Sequence, residues 1–184
     1  ELGKLIANNN IGTCSISMKT NGKILTSPRN GSFHGNVNSI RFNNYSYNNI
    51  AINGSLLNDT ISSKVTYNDH NADVTVLANI LPDKTDTYTS LKMDINHLNL
   101  SELNFTSRDS LIVSANIVAE SMGNTLDLLR GELSIDSLSY YDSGGKFQTD
   151  HTFNLTITEN SYNRRDLSLK SEIANIDIVG DYLL

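Results

Sequence analysis

The stretch NDHNAD, residues 68–73, holds the closest grouping of side chains that could carry chemistry. Asp69, His70 and Asp73 supply carboxylate and imidazole groups, which are the ligands that many metal ions prefer in proteins. Asp and Asn also favour tight turns, because their side chains accept hydrogen bonds from backbone amides one or two residues on. The stretch lies between two apolar runs, so it is predicted to be a turn rather than a metal site.

Catalytic motifs are missing from the rest of the chain. The sequence has no GxSxG, no HExxH, no glycine-rich phosphate loop and no CxxC. His97 follows the parity of the apolar residues before it, so it is predicted to be a structural histidine at the rim of an apolar face. His34 and His151 form no dyad, because a neighbour such as Asp150 points to the opposite face of a strand. Cys14, the single cysteine, is predicted to be a buried structural residue. The chain is therefore expected to be no enzyme and to need no metal or cofactor.

Composition narrows the class of protein further. The net charge is -6 and no stripe of Lys or Arg occurs, which argues against nucleic acid and against anionic membrane surfaces as partners. Hydrophobic residues make up 38% and charged residues 18%, with Asn, Ser and Thr filling the difference. Such a chain is typical of β-structure with one solvated face. Its 184 residues suit one domain, predicted over residues 1–184.

Targeting signals are also missing. No apolar run approaches the ~18 residues of a membrane helix, and no signal-peptide pattern opens the chain. Because Glu1 is no natural start, the segment is expected to be cut from a longer protein.

Period-two alternation recurs along almost the whole chain, and LIVSANIVAE (111–120) is its clearest example. Short turns are predicted at 43–44, 68–71 and 143–145, where Asn, Asp and Gly tolerate positive φ. Strands joined by such short turns must be antiparallel. The predicted fold class is therefore all-β, a long antiparallel meander of nine to eleven strands with one apolar face.

The apolar parity changes at four places without a turn between, and each is predicted to be a β-bulge or a strand break. These places are residues 37–40, 47–50, 135–138 and 173–176. A wide sheet that carries such bends is expected to curl into a gutter whose concave face is apolar.

Two segments have no period-two pattern. In residues 98–110, Ser101 is predicted to cap a single helical turn that carries Leu103. Residues 123–131 are predicted to form another short turn between two glycines.

Ten apolar residues are predicted to line the shared concave face. They are Val74, Val76, Leu91, Met93, Ile95, Leu111, Val113, Ile117, Leu133 and Ile135. Four alanines, Ala72, Ala78, Ala115 and Ala119, are expected to leave room within it. This face could close on a second layer of the same chain, could face lipid from the outside of a transmembrane barrel, or could form an open trough for a ligand. The absence of Trp and of regular aromatic girdles disfavours the outside-lipid alternative, while the filled core and the open trough both remain open.

The region between residues 30 and 145 resembles the TamB family of the AsmA-like group, in the form found in Bacteroidota. The resemblance is carried by a YxYxNIxIxG strand (45–54), followed by an IxHLxLxxLN segment, an SRDS step, a GxxLDxLxG step and an IxxxxY strand. In this sequence the IxHLxLxxLN segment is carried by Ile95, His97-Leu98, Leu100 and Leu103-Asn104. The SRDS step is Ser107 to Ser110, and the GxxLDxLxG step is carried by Gly123, Leu126-Asp127, Leu129 and Gly131. The last strand carries Ile135 and Tyr140.

This resemblance implies that the chain is one slice of a very large, elongated periplasmic protein. It implies a β-taco fold with an apolar interior and an inner-membrane anchor outside this segment. Such proteins are implicated in phospholipid transport between the inner and outer membranes and in outer-membrane assembly. Phospholipid acyl chains and an outer-membrane barrel protein of the Omp85 type are the implied partners. The alternative is a structural β-scaffold with a dry core that assists outer-membrane protein assembly through edge-strand pairing.

Overall fold

The computed structural model describes residues 11–23, 25–84, 86–124, 129–148, 152–159, 165–171 and 175–180. This part of the chain contains twelve strands and no helix. The strands are β1 (Ile11–Lys23), β2 (Asn30–Phe42), β3 (Tyr45–Leu57), β4 (Thr60–Asn68), β5 (Ala72–Leu81), β6 (Tyr88–Asn99), β7 (Ile112–Met122), β8 (Arg130–Asp142), β9 (Gly145–Gln148), β10 (Phe153–Glu159), β11 (Arg165–Lys170) and β12 (Asn175–Gly180).

All twelve strands belong to one antiparallel sheet, and their order in the sheet follows the chain. The exception is β9, which pairs only with β8. β9 and β10 lie along the same edge of β8, with β9 beside residues 139–142 and β10 beside residues 131–135. The sequence predicts nine to eleven strands, and the difference arises because the partner of β8 is divided into two strands.

The predicted turns are confirmed. Asn43 and Asn44 have φ of 52° and 64°, as a two-residue type I′ hairpin turn requires. Asn58 and Asp59 repeat this geometry between β3 and β4, with φ of 49° and 68°. Bends or turns also occupy 69–71 and 143–144.

The sheet is a single open layer. Each strand of the described residues makes its main contacts with its neighbours in the sheet, and β1 and β12 form the two free edges. The predicted fold class, an all-β antiparallel meander in the form of an open gutter, is confirmed. A second layer of the same chain over the apolar face is not present among the described strands. No helix in this part of the chain is long and apolar enough to cross a membrane.

Two of the four predicted irregularities are confirmed as register shifts. At 37–40, Asn38 is the extra residue of β2, because Val37 and Ser39 pair with the adjacent Ile16 and Ser15. At 135–138, β8 carries the extra residue opposite β7, and Ser137 has a φ of 54°.

The other two predicted irregularities have different outcomes. At 47–50 the strand continues, but the β2–β3 ladder skips Asn49, whose φ is 59°. The site at 173–176 lies partly outside the described residues, and β12 begins at Asn175.

The segment between β6 and β7 is a loop and not a helix. Its first turn is capped by Asn99, whose Oδ1 accepts a hydrogen bond from the Glu102 amide at 3.2 Å, while the Leu103 amide donates to the Asn99 carbonyl at 3.0 Å. The prediction that Ser101 caps this turn is wrong. Its hydroxyl instead donates to the Arg108 carbonyl at 2.6 Å and is thereby committed to closing the loop. Most of the second predicted turn, residues 125–128, lies outside the described residues.

Candidate functional site

The apolar side chains form continuous rows that run across the strands. Residues directly opposite each other on neighbouring strands point to the same face of a sheet, so the pairing register defines each row. The longest row without a polar side chain, here called the central row, crosses nine strands from β1 to β10. It consists of Met18, Gly35, Ile52, Val65, Val76, Met93, Ile117, Ile135 and Phe153.

Two more rows lie beside the central row on the same face. The second row is Thr20, Phe33, Gly54, Ser63, Ala78, Leu91, Ala119, Leu133, Leu155, Leu169 and Ile176. The third row passes through Thr89, Ser121 and Gly131 in its middle and is apolar on either side of them, in Leu56, Ile61 and Ile80 and in Ile157, Leu167 and Ile178. These three rows and the residues continuing them towards the β6–β7 loop are called the apolar face below.

Nine of the ten predicted lining residues lie on the apolar face. Six belong to the central and second rows: Val76, Met93, Ile117, Ile135, Leu91 and Leu133. Val74 pairs with Ile95, and Ile95 pairs with Ala115. Because Ala115 and Val113 have the same parity in β7, Val74 and Val113 share one face as predicted.

Leu111 is the one predicted lining residue that does not lie on the apolar face. It precedes β7, and its backbone closes the β6–β7 loop. Its amide donates to Ser101 Oγ at 2.8 Å, and its carbonyl accepts from the Leu100 amide at 2.8 Å. A hydroxyl and an amide thus hold Leu111 in the loop.

The apolar face is most exposed at its two edges, whereas the side chains of the central row between them are half-buried. At the β1 edge Ile16 is 56% and Met18 49% exposed, and at the β12 edge Ile178 is 49% exposed. Nine strands at ~4.8 Å spacing and the central and second rows at ~6.8 Å give a surface of about 520 Å² in plan. This area lies within the range of about 300–600 Å² of the largest apolar patch on a typical monomer, and such a patch is often functional.

The four alanines divide into two kinds. Ala72 is 0% and Ala115 6% exposed, so they fill space under neighbouring side chains rather than leaving room. Ala78 and Ala119 lie in the second row between larger side chains and are partly exposed, as the prediction requires.

The NDHN segment, considered as a possible metal site, is a turn built around Asp69. Asp69 Oδ1 accepts the backbone amides of Asn71 and Ala72, both at 2.8 Å. Its Oδ2 accepts the hydroxyls of Tyr67 at 2.5 Å and Tyr45 at 2.8 Å. Partial burial acts to raise the pKa of Asp69, but these four hydrogen bonds outweigh it and lower that pKa. The carboxylate therefore holds together the turn and two strands.

The tyrosines around Asp69 mark the polar limit of the apolar face. Burial, reinforced by the hydrogen bond to the Asp69 carboxylate, raises the pKa of Tyr67 far above its usual value. Tyr47 packs against both Tyr45 and Tyr67, at ring centroid distances of 4.9 Å and 5.5 Å. Burial also raises the pKa of Tyr47, whose hydroxyl has no hydrogen-bond partner within the described residues.

The three described histidines, His34, His70 and His97, show no catalytic or metal-binding arrangement. A register shift adds a residue to β6 between Ile95 and Leu98, so Leu98 takes the apolar parity and His97 pairs with Asp73. The predicted place of His97 at the rim of the apolar face is therefore wrong. Its Nε2 lies 3.1 Å from the His70 carbonyl, which makes it part of the turn. No group of three or more His, Cys, Asp or Glu within the described ranges could hold a metal ion.

His34 and Cys14 lie elsewhere in the sheet, in β2 and β1. His34 is exposed, and its partner in β3 is Asn53. Cys14 is half-buried rather than buried, because it lies on the edge strand β1. His151 lies outside the described residues.

The opposite face of the sheet is mostly polar. Lys92 Nζ lies 3.8 Å from Asp94 on this face, and Glu120 stands directly opposite Glu132. Val118, which pairs with Lys92, is 40% exposed there. The two faces therefore differ in chemistry as the alternation predicts.

Two features of the apolar face lie beyond what alternation predicts. The ring of Phe33 lies over Gly54, so close that a Cβ on Gly54 would fall 2.1 Å from a ring carbon. A glycine facing an aromatic residue in a strand pattern is the signal that could have identified this pair. Leu103 is fully buried, although it lies in a polar loop. The sequence does not distinguish Leu103 from Leu100 and Phe105, the other apolar residues near it in this loop.

Comparison of the chain with known protein families, with curated proteins and with solved structures finds no match.

Proposed function

We propose that this chain is one slice of a TamB-like periplasmic protein, in which the apolar face shields phospholipid acyl chains between the inner and outer membranes. The observation that supports this proposal is the central row, which crosses nine strands without a second layer over it. At ~4.8 Å per strand this row is about 38 Å long. The sequence motifs that resemble those of the TamB family are a separate support for the proposal.

The energetics suit this role. Exposing acyl chains to water costs ~0.8 kcal/mol per CH₂, so a sixteen-carbon chain faces roughly 12 kcal/mol in an aqueous compartment. A long surface of aliphatic side chains removes much of this cost without any specific polar contact. Because the rows repeat similar side chains from strand to strand, no single position binds much more tightly than the next, as conduction requires. In this proposal an inner-membrane anchor and an Omp85-type partner belong to other parts of the assembly.

Photo-crosslinking at two adjacent residues of β7 tests the proposal. A photoreactive diazirine analogue of leucine is placed at Ile117, on the central row, or at Val118, on the opposite face. Both residues are apolar and lie on the same strand, so Val118 is the matched control. After exposure to phosphatidylethanolamine vesicles, we expect lipid adducts from position 117 and few from 118. Equal adducts at both positions, or none at 117, would contradict the proposal.

A second function, scaffolding of outer-membrane proteins by edge pairing, is favoured by strand β1. This strand has thirteen residues, pairs only with β2 among the described strands, and carries just two charged side chains, Lys19 and Lys23. A long edge with few charges is a ready template for another strand. A diazirine at Ser17 should then crosslink a synthetic outer-membrane β-strand peptide, and one at Asn116 in the central strand β7 should not. Absence of a Ser17 adduct would remove this alternative.

A further inference from the structure

The loop between β6 and β7, residues 100–111, lies on the apolar face at one end of the strands. Leu103 is 0% exposed and packs in one cluster with Tyr67 and Ala72. Partly buried side chains from β3, β5 and β6 complete the cluster: Tyr45, Tyr47, Ile50, Val74 and Leu98. Leu103 therefore occupies the apolar face itself and does not lie beside it.

The loop is fixed to the sheet at its far side. Asn43 Nδ2, in the β2–β3 turn, donates to the Asn104 carbonyl at 3.0 Å. The rings of Phe42 and Phe105 lie 6.0 Å apart, centroid to centroid. The loop thus extends from β6 across the ends of β5, β4 and β3 to the turn that follows β2.

The loop is also fixed at its base. Ser101 Oγ joins the Arg108 carbonyl and the Leu111 amide, at 2.6 Å and 2.8 Å. Contacts at both base and tip hold the loop in one position, with the Leu103 side chain directed onto the tyrosines.

From this geometry we infer that the β6–β7 loop is a built-in plug, which excludes acyl chains from this end of the apolar face. The inference rests on the proposed function and adds a boundary to the same site. A lipid tail at Val74 would have to displace the buried Leu103 side chain. Beyond it the tail would meet the Asp69 carboxylate and the tyrosine hydroxyls bound to it. Tails are therefore confined to the central, second and third rows.

The boundary runs between two neighbouring residues of β5. Val74 packs against the Leu103 cluster, whereas Val76, two residues further on the same face, belongs to the central row. The two residues are both valines on one strand and one face. They differ in that Val74 packs against the cluster that contains Leu103, whereas Val76 is not among the side chains packed against it.

The test places the diazirine analogue at Val74 or at Val76 and exposes the protein to phosphatidylethanolamine vesicles. With the loop intact, we expect adducts at Val74 to be at least about tenfold fewer than at Val76, because a lipid there must first expose a buried leucine. Leu103→Ala should raise the adducts at Val74 towards those at Val76. Leu103→Met, which keeps a long apolar side chain, should leave the ratio unchanged and is the control.

A second variant guards against misfolding of Leu103→Ala. Asn99 pairs with Ile112, so residues 100–111 can be replaced by the two-residue turn Asn-Gly. This variant should also open Val74 to lipid. Equal adducts at Val74 and Val76 in the unmodified protein would overturn the plug. The plug would also be overturned if lipid labelled Val76 but not Val74 in this variant. No adduct at Val76 in any variant would overturn the proposed function itself, and the plug with it.

Discussion

At the scale of single residues, Asp59 shows how one carboxylate joins two connections at the end of the sheet opposite the plug. It lies in the β3–β4 turn and accepts hydrogen bonds from Ser27 Oγ at 2.5 Å and from Arg29 Nε at 2.7 Å. The Arg29 amide also donates to it at 3.1 Å. The Ser27 hydroxyl, followed by the Arg29 contacts, lowers the pKa of Asp59 from 3.8 to about 2.

This pKa predicts how stability depends on pH. Between about pH 4 and pH 2 the unfolded chain takes up a proton at Asp59 while the folded protein does not, so the stabilisation by Asp59 is complete above this window and is lost as the pH falls through it. Asp59→Asn should lower the stability at pH 7 and flatten its fall below pH 4. Asn tolerates the positive φ of this position, so the turn itself should persist.

Urea unfolding of the two proteins from pH 7 to pH 2.5 measures this effect. Asp109→Asn, which removes the same charge from an exposed loop residue, is the control and should leave the slope below pH 4 unchanged. Parallel pH profiles for Asp59→Asn and the unmodified protein would show that the Asp59 contacts do not stabilise the fold.

At the scale of elements, bulges decide which side chains reach the apolar face. Strict alternation from Ile95 would place His97 on this face, but the extra residue in β6 puts Leu98 there instead. The bulge at Ser137 likewise allows β8 to place Ile135 and Tyr140, which have opposite parity, opposite Ile117 and Val113 of β7. A bulge changes the parity of every residue after it, so apolar residues of opposite parity can share one row.

The sequence predicts strands and turns much better than it predicts the plug. Alternation and turn residues are local signals, and they predicted the antiparallel meander, the turns and the shared face of nine of the ten residues proposed as a lining. The burial of Leu103 depends on contacts with Tyr67 and Ala72, some thirty residues away in the chain, that only the folded sheet brings within reach. No periodic pattern encodes such contacts. The hydrogen bond between Tyr45 and Asp69 was missed for the same reason, because Tyr45 lies in β3 and Asp69 follows β4.

At the scale of the whole molecule, the fold is held by pairing between strands more than by a closed core. Only five hydrophobic residues of the described chain are buried: Val37, Tyr67, Ala72, Leu103 and Ala115. Three of these form the cluster in which Leu103 of the plug packs with Tyr67 and Ala72. The remaining apolar side chains stabilise the sheet through cross-strand contacts, each contributing roughly 0.2–1 kcal/mol. A molecule of this kind should tolerate a polar residue on its apolar face, which a closed core would not.

Ile117→Asp tests this expectation at the middle of the central row, with Val118→Asp as the control. Asp at position 117 replaces contacts with Met93 and Ile135, whereas Asp at position 118 faces Lys92 and Ser134, so these cross-strand pairs contribute roughly 0.2–1 kcal/mol each to the difference between the two stabilities. On an open face the new carboxylate stays hydrated, and the two variants should differ by about 2 kcal/mol or less in the free energy of unfolding. Under a covering layer an unpaired buried carboxylate costs about 3–5 kcal/mol. Urea unfolding of the lipid-free proteins at pH 7 measures the difference, and a gap of that larger size would show that the apolar face is a dry core and not a path for lipid.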